Sequence, residues 1–190
     1  SSYFDLNFVS AIRDYTLKHD FDYFPNNKHH IRIGATSIYH RFRPSAVVVK
    51  GSDATSNKSK VKSIFSNESG IYIEDDWKIN GRLKANVGLR ISHYFINNKS
   101  FIKPEPRVSA RYTITENSSI KASYALMNQY LHLLSSTGVS LPTDLWVPAT
   151  NNLKPMQSQQ WAIGWGQELT KAVTLKIEGN YKKKDDIYFF

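Results

Sequence analysis

From residue 70 to residue 95 apolar and polar side chains alternate along the chain. Leu83, Ala85, Val87, Leu89, Ile91 and Phe95 share one parity, with His93 the single polar residue among them. Lys84, Asn86, Gly88, Arg90, Ser92 and Tyr94 share the other. A period of two sends successive side chains to opposite faces, so this stretch predicts a β-strand with one apolar and one polar face. Ile71-Tyr72-Ile73 to Trp77 predicts a preceding strand, and Asn80-Gly81 between the two is a hairpin signal. Asn and Gly both tolerate positive φ, which a tight two-residue turn requires.

The unit repeats on either side. Residues 1–11 show no clear period, but from Ile12 onward Tyr15, Leu17, Phe21 and Tyr23 alternate with Thr16, Lys18, Asp20 and Asp22. After a turn at Pro25-Asn26-Asn27, Ile31, Ile33, Ala35 and Tyr39 oppose Arg32, Gly34, Thr36 and His40. Residues 44–67 are rich in Lys and Ser without a sustained period and predict a long mobile loop. Residues 97–106, with Asn97-Asn98 and two prolines, predict a connection of medium length. Val108, Ala110 and Tyr112 form the next apolar face, followed by a reversal at Thr115-Glu116-Asn117-Ser118 and a strand through Ile120, Ala122, Tyr124 and Leu126. A second long segment, 129–155, precedes Trp161, Ile163 and Trp165. A turn near Thr170-Lys171 then leads to Val173, Leu175, Ile177 and Tyr181.

The pattern predicts an all-β chain: an antiparallel up-and-down meander of about eight strands. Its connections run short, long, short, medium, short, long, short. Tight turns at one end and long loops at the other are the signature of an outer-membrane β-barrel, whereas a soluble sandwich does not segregate loop length by end so regularly. The strands reach the roughly 10 residues that a tilted strand needs to cross the hydrocarbon layer. Trp77, Tyr112 and Trp165 fall near tight turns on the apolar parity, and Tyr39, Phe95 and Trp161 near the long-loop end, as two interfacial girdles require. Asp75 interrupts the apolar parity between Ile73 and Trp77, which calls for a bulge or an interfacial position.

Composition narrows the picture further. The 190 residues can bury one sizeable core or two small ones. No run of about 18 apolar residues is present, so no transmembrane helix is expected. With no cysteine, disulfides and thiolate chemistry are excluded. The first residue is Ser1, without a charged-then-apolar leader, and suggests a processed or excised polypeptide. The formal charge of +9 invites an anionic partner.

Several stretches carry a family resemblance. Ile71-Tyr72-Ile73-Glu74-Asp75-Asp76-Trp77-Lys78-Ile79 followed by Leu83-Lys84-Ala85-Asn86-Val87-Gly88-Leu89-Arg90 resembles the barrel of TonB-dependent outer-membrane receptors. So do Pro106-Arg107-Val108-Ser109-Ala110-Arg111-Tyr112, Ser123-Tyr124-Ala125, and the run from Tyr130-Leu131-His132 to Leu145-Trp146-Val147-Pro148. The flavour is that of the SusC-like receptors of Bacteroidetes. The resemblance implies a 22-stranded barrel around an N-terminal plug. Such a receptor imports siderophores, glycans, peptides or cofactors with energy from TonB, with a surface lipoprotein as a possible partner. It also implies that this chain is a partial barrel domain, lacking the plug and the remaining strands.

Candidate chemistry is sparse. Glu74-Asp75-Asp76 cannot converge on a metal, because consecutive strand residues point to opposite faces. His29-His30 beside a turn reads as a solvated pair, and no nucleophile elbow, phosphate loop or zinc spacing is present. No enzyme, metal or cofactor is expected. Arg32, Lys84, Arg90, Arg107, Arg111, Lys121, Lys176 and Lys182 share the polar parity with Asp20, Asp22, Glu74, Asp76 and Glu178. In a barrel that face lines the lumen, with Arg90, Arg107 and Arg111 among its basic residues, where it pairs with a plug, guides an anionic ligand or forms an ion-paired solvated wall. Charges spread over many strands, without a recognition helix, argue against nucleic acid. In 129–155, Tyr130, His132 and Trp146 are candidate ligand contacts, while Leu131, Leu133, Leu134 and Leu141 predict a segment that folds on itself.

Two functional classes follow: an outer-membrane receptor wall, or a soluble antiparallel β-domain that binds glycans through exposed aromatics. The sheet is expected not to close on itself. Residues 1–10 predict no strand to pair with the last one, and Lys182-Lys183-Lys184-Asp185-Asp186 is charged on both parities. An open or folded-over sheet with edges paired between copies or buried is the expectation.

Overall fold

A computed structural model describes residues 5–50, 63–134, 145–149 and 154–185. Eight strands form one antiparallel sheet in the order β1 (Asp5–Asn26), β2 (His29–Lys50), β3 (Ile64–Lys78), β4 (Leu83–Ile96), β5 (Lys99–Thr115), β6 (Ser118–Gln129), β9 (Met156–Thr170) and β10 (Val173–Asp185). A second, two-stranded sheet, β7 (Leu131–Leu134) with β8 (Leu145–Pro148), sits inside the 129–155 segment. That segment does fold back on itself; Leu141 lies outside the described residues. Among the described residues β1 and β10 do not pair with each other, so the sheet is open, with one free edge on each.

The register carries the predicted parity from strand to strand. Ile33 faces Ile73, Ile73 faces Leu89 and Leu89 faces Pro106; Lys84 faces Arg111, and Arg111 faces Lys121. The apolar parity is the outer one. Ile71 is 61 % exposed, Val87 51 %, Ile163 58 % and Ile177 59 %. On the polar parity Tyr94, Ser92 and Glu105 are buried. A soluble sheet buries its apolar face; this one presents it.

The outer band has measurable limits. Trp77 and Asn67 lie ten residues apart on β3, and Asn67 is flanked by Tyr39 and Phe95. Ten residues rise about 33 Å along a strand. A tilt near 40° reduces that to about 25 Å, the height of the apolar band on a transmembrane barrel. At the tight-turn end the Trp165 indole N–H donates to the Ser118 hydroxyl at 3.1 Å, which ties the polar edge of the ring to the turn. Trp161 lies in mid-strand, between Tyr124 and Tyr181, and not at the long-loop end.

Four local expectations are corrected. Residues 44–50 and 64–67 are strand, and 51–62, the remainder of the expected mobile loop, lie outside the described residues. β1 begins at Asp5 and not at Ile12. It pairs Asp5 to Lys50 and Val9 to Ala46, and the register then slips to Ala11 opposite Arg43. The slip falls at Pro44-Ser45 on β2, breaking the period that would have marked both strands. Asn80-Gly81 is not a positive-φ turn, since no glycine has positive φ among the described residues. The Asn80 side chain instead accepts the backbone N–H groups of Arg82 and Leu83 at 2.9 and 2.8 Å and holds a wider reversal. The two-residue turn is at Asn97 (φ 46°) and Asn98 (φ 62°), so the medium connection of 97–106 is a tight one and β5 starts at Lys99.

Pro104 and Pro106 therefore lie inside a strand. Their pairing with β4 is unbroken, opposite Ile91 and Leu89, but pairing with β6 stops at Arg107–Ala125. A proline has no N–H to give a ladder, so a strand tolerates it only where its donor side is an edge. The seam between β5 and β6 ends where the prolines begin. Asp75 needs no bulge: its register is regular and its carboxylate meets Nδ1 of His29 at 2.6 Å, beside the Trp77 ring.

The Asn97-Asn98 turn sets a test. Asn98→Gly is expected to leave stability unchanged or raised, whereas Asn98→Val lowers it by about 1–2 kcal/mol, the cost of a side chain in the left-handed region. The urea midpoints of the detergent-folded chain distinguish the two.

Candidate functional site

The polar face curls around a trough of about 980 Å³, lined from Asn26 at the end of β1 to Asn180 on β10. Two halves of this face differ in how their charges are met.

In the first half nearly every ion has a partner. Arg32 lies between Asp22 (3.1 Å) and Glu74 (3.2 Å), and His30 meets Asp22 at 2.6 Å. The Tyr72 hydroxyl donates to Asp20, which also pairs with Lys18 at 2.8 Å. The Tyr72 ring lies over Gly34, and a Cβ there would collide with it. Closer to the long loops, His40 reaches Asp14 (2.8 Å) and Glu68 (4.0 Å). Arg90 spans Glu68 (3.5 Å) and Glu105 (3.7 Å). Its guanidinium rests on Gly70, where a Cβ would come within 2.8 Å of Nε.

Glu105 anchors the segment above. It is 6 % exposed, and a carboxylate so buried needs both charge and hydrogen bonds. The Ser92 hydroxyl donates to Oε1 at 3.0 Å, and the Asn128 backbone N–H donates at 3.2 Å. That N–H lies just beyond the end of the β5–β6 seam, so Glu105 supplies the acceptor that β5 no longer offers. Ser92 has one proton to give, so the Tyr130 hydroxyl, 2.6 Å away, is the donor to Ser92. The Tyr130 ring stacks on Tyr94 with centroids 4.7 Å apart and planes at 8°. Tyr94, Ile96, Tyr130 and Ala149 form the buried apolar cluster, with Ile64 and Phe101 against it.

Tyr130 and His132 are thus packed inside the 129–155 segment, 2 % and 7 % exposed. Trp146 pairs through its backbone with Leu133 on the same hairpin. Burial pushes the His132 imidazole below its ordinary 6.5, and a hydrogen bond with the Lys154 backbone acts in the opposite sense. Arg90, Arg107 and Arg111 all lie on the polar parity, but the structure separates them by role. Arg90 is held between two carboxylates, whereas Arg107 and Arg111 have no ion pair among the described residues. The sequence pattern did not single out Glu105, Ser92 or Tyr94. Glu105 between two prolines was the available signal, a carboxylate where the ladder loses donors.

Among the described residues no group of His, Asp or Glu could hold a metal. Glu74 and Asp76 face the trough side, Asp75 the outer side. His29 and His30 likewise divide between Asp75 and Asp22.

Two outcomes are expected. Arg90→Met leaves Glu68 and Glu105 without their cation and costs about 2–3 kcal/mol, less than full burial would imply because Arg90 is partly exposed. Arg107→Met stays within about 0.5 kcal/mol of wild type; urea unfolding reads both. A His pKa depressed on folding means that the unfolded segment binds protons first as pH falls. The 129–155 packing is therefore complete above the ordinary histidine value and weakens as pH drops through it, seen as faster amide exchange near Tyr130. His132→Gln removes this dependence.

Compared with known families, residues 1–189 match the model described as TonB dependent receptor-like, beta-barrel. No curated protein matches the chain.

Proposed function

The chain belongs to the family of TonB-dependent receptor-like β-barrels, and on that premise we propose that its strands form part of the wall of an outer-membrane receptor that takes up a scarce nutrient. The family is one of outer-membrane transporters rather than enzymes, and it works in general with a plug domain and TonB. The observation that carries the reading is the inside-out sheet. An apolar band about 25 Å tall, by the strand rise and tilt used above, faces outward, and a charged wall faces the trough. The soluble glycan-binding domain is not favoured, because it would leave Val87, Ile71 and Ile177 in water.

Within this reading the eight-stranded sheet is a segment of a larger barrel, which gives the free edges of β1 and β10 their partners. The 71–79 and 130–148 stretches support a SusC-like subtype, with a surface lipoprotein over the long loops. The solute is then a siderophore, glycan, peptide or cofactor. Arg107 and Arg111 are exposed cations on its path, and Trp146 is a ligand contact in the long segment. Tyr130 and His132 reach a ligand only when the hairpin opens.

Inserting a charge on each face tests the reading. Val87→Arg, on the outer face, is expected to reduce membrane assembly, at a cost of about 2–4 kcal/mol near the midplane. Asn86→Arg, one residue away on the trough face, is expected to assemble nearly as wild type. Equal yields of heat-modifiable protein in lipid vesicles would contradict it.

A further inference from the structure

The second half of the trough face carries a row of cations that no acidic residue neutralises among the described residues. Lys78 pairs with Lys84, Lys84 with Arg111, and Arg111 with Lys121. Four like charges thus stand side by side across β3, β4, β5 and β6, and none has an ion pair among the described residues. Lys28, whose carbonyl accepts the Lys78 N–H at 2.7 Å, extends the row at one end. These five cations line the trough against two acidic residues, Asp76 and Glu178. Asp76 is already engaged by Asn86 at 2.7 Å. Directly opposed like charges destabilise a sheet. The first half of the same face meets nearly every charge, so the excess of basic over acidic residues falls unevenly on this face.

We propose that this row is the docking surface for an acidic polypeptide segment lying across the strands inside the trough. The geometry selects a linear polyanion. Neighbouring strands are about 4.8 Å apart, so the four cations extend over about 14 Å, and a compact anion could reach only two of them. The adjoining row selects a polypeptide. Asn86, Ser109 and Ser123 lie two residues along β4, β5 and β6 from Lys84, Arg111 and Lys121, a line of amide and hydroxyl groups suited to backbone N–H and C=O groups, and Asn180 follows in the same row beyond Ala162. Carboxylates would take the cations and the main chain would take the amides. The proposal rests on this face being a lumen wall only for how the segment enters, and binding can be measured without membrane or transport.

The test uses the 190-residue chain folded in zwitterionic detergent and a fluorescently labelled hexaglutamate peptide, followed by anisotropy. Binding is expected at low salt and is expected to fade at roughly 0.5 M salt, where the screening length falls to a few ångström. The triple variant Lys84→Gln/Arg111→Gln/Lys121→Gln is expected to bind at least about tenfold more weakly, since it removes three of the aligned charges. Lys182→Gln/Lys184→Gln, cations of β10 outside the trough, is expected to stay within about twofold. The triple variant should also unfold at the same or a higher urea concentration than wild type, because repulsion is relieved. Lost stability would mean that the chain itself already uses these cations. Equal peptide binding by wild type and triple variant, no binding at low salt, or displacement of the peptide by equimolar inorganic phosphate would each overturn the proposal. Failure here leaves the assembly contrast between Val87→Arg and Asn86→Arg untouched.

Discussion

Everything in this molecule depends on an antiparallel ladder that keeps one parity across seven seams. A backbone in hydrocarbon has no water to satisfy its N–H and C=O groups, so each strand must find them in its neighbours. Once the pairs are set, the side chains have no further choice: one residue of slip would turn every Ile and Val of the outer band into the trough. The register slips that do occur lie near strand ends, at Val9/Ala11, Tyr23/Asn26, Thr113/Thr115 and Val173/Thr174. The stretch from Ile31 to Tyr39, and its partners on β3 and β4, has none.

That regularity is why the architecture was legible from the sequence. Leu83 to Ile91 needed only the period of two, because outer side chains in lipid obey it strictly. The parts that escaped were those where something other than apolarity decides the backbone. The Asn80-Gly81 pair looked like the tight turn, yet the Asn80 side chain bonds to Arg82 and Leu83 and removes the need for positive φ. Residues 97–106 looked like a loop because prolines normally end a strand, and only the missing β6 pairing shows why β5 can hold two. Of the site, the parity of Arg90, Arg107 and Arg111 was readable. Their division into one held and two open cations was not, since it depends on Glu68 and Glu105 arriving from other strands.

The trough face combines two electrostatic regimes on one sheet. Beside β1, β2 and β3, paired ions hold their side chains flat against the wall, with Gly34 and Gly70 providing the room. Toward the tight-turn end of β3, β4, β5 and β6, Lys78, Lys84, Arg111 and Lys121 project into the trough without ion pairs among the described residues. The first arrangement stiffens the wall, because pairs such as Arg32–Glu74 and Arg90–Glu105 tie neighbouring strands together. The second sacrifices a little stability and keeps a concentrated positive potential available.

The seam that stops at Arg107–Ala125 gives the wall a crease. Below it, β5 and β6 are joined by a backbone ladder; above it, among the described residues, they are joined through the carboxylate of Glu105 and its contacts to Asn128. Bending resistance across a sheet comes from the rigid repeat of its ladder, and one side chain with rotatable bonds is a far softer spring. A tilt of the panel β1–β5 against the panel β6, β9, β10 at the long-loop end would break few backbone bonds and would be resisted by side chains, the Tyr94–Tyr130 stack among them. The tilt would pull directly on Ser92 and Tyr130, and so on the hairpin above the trough.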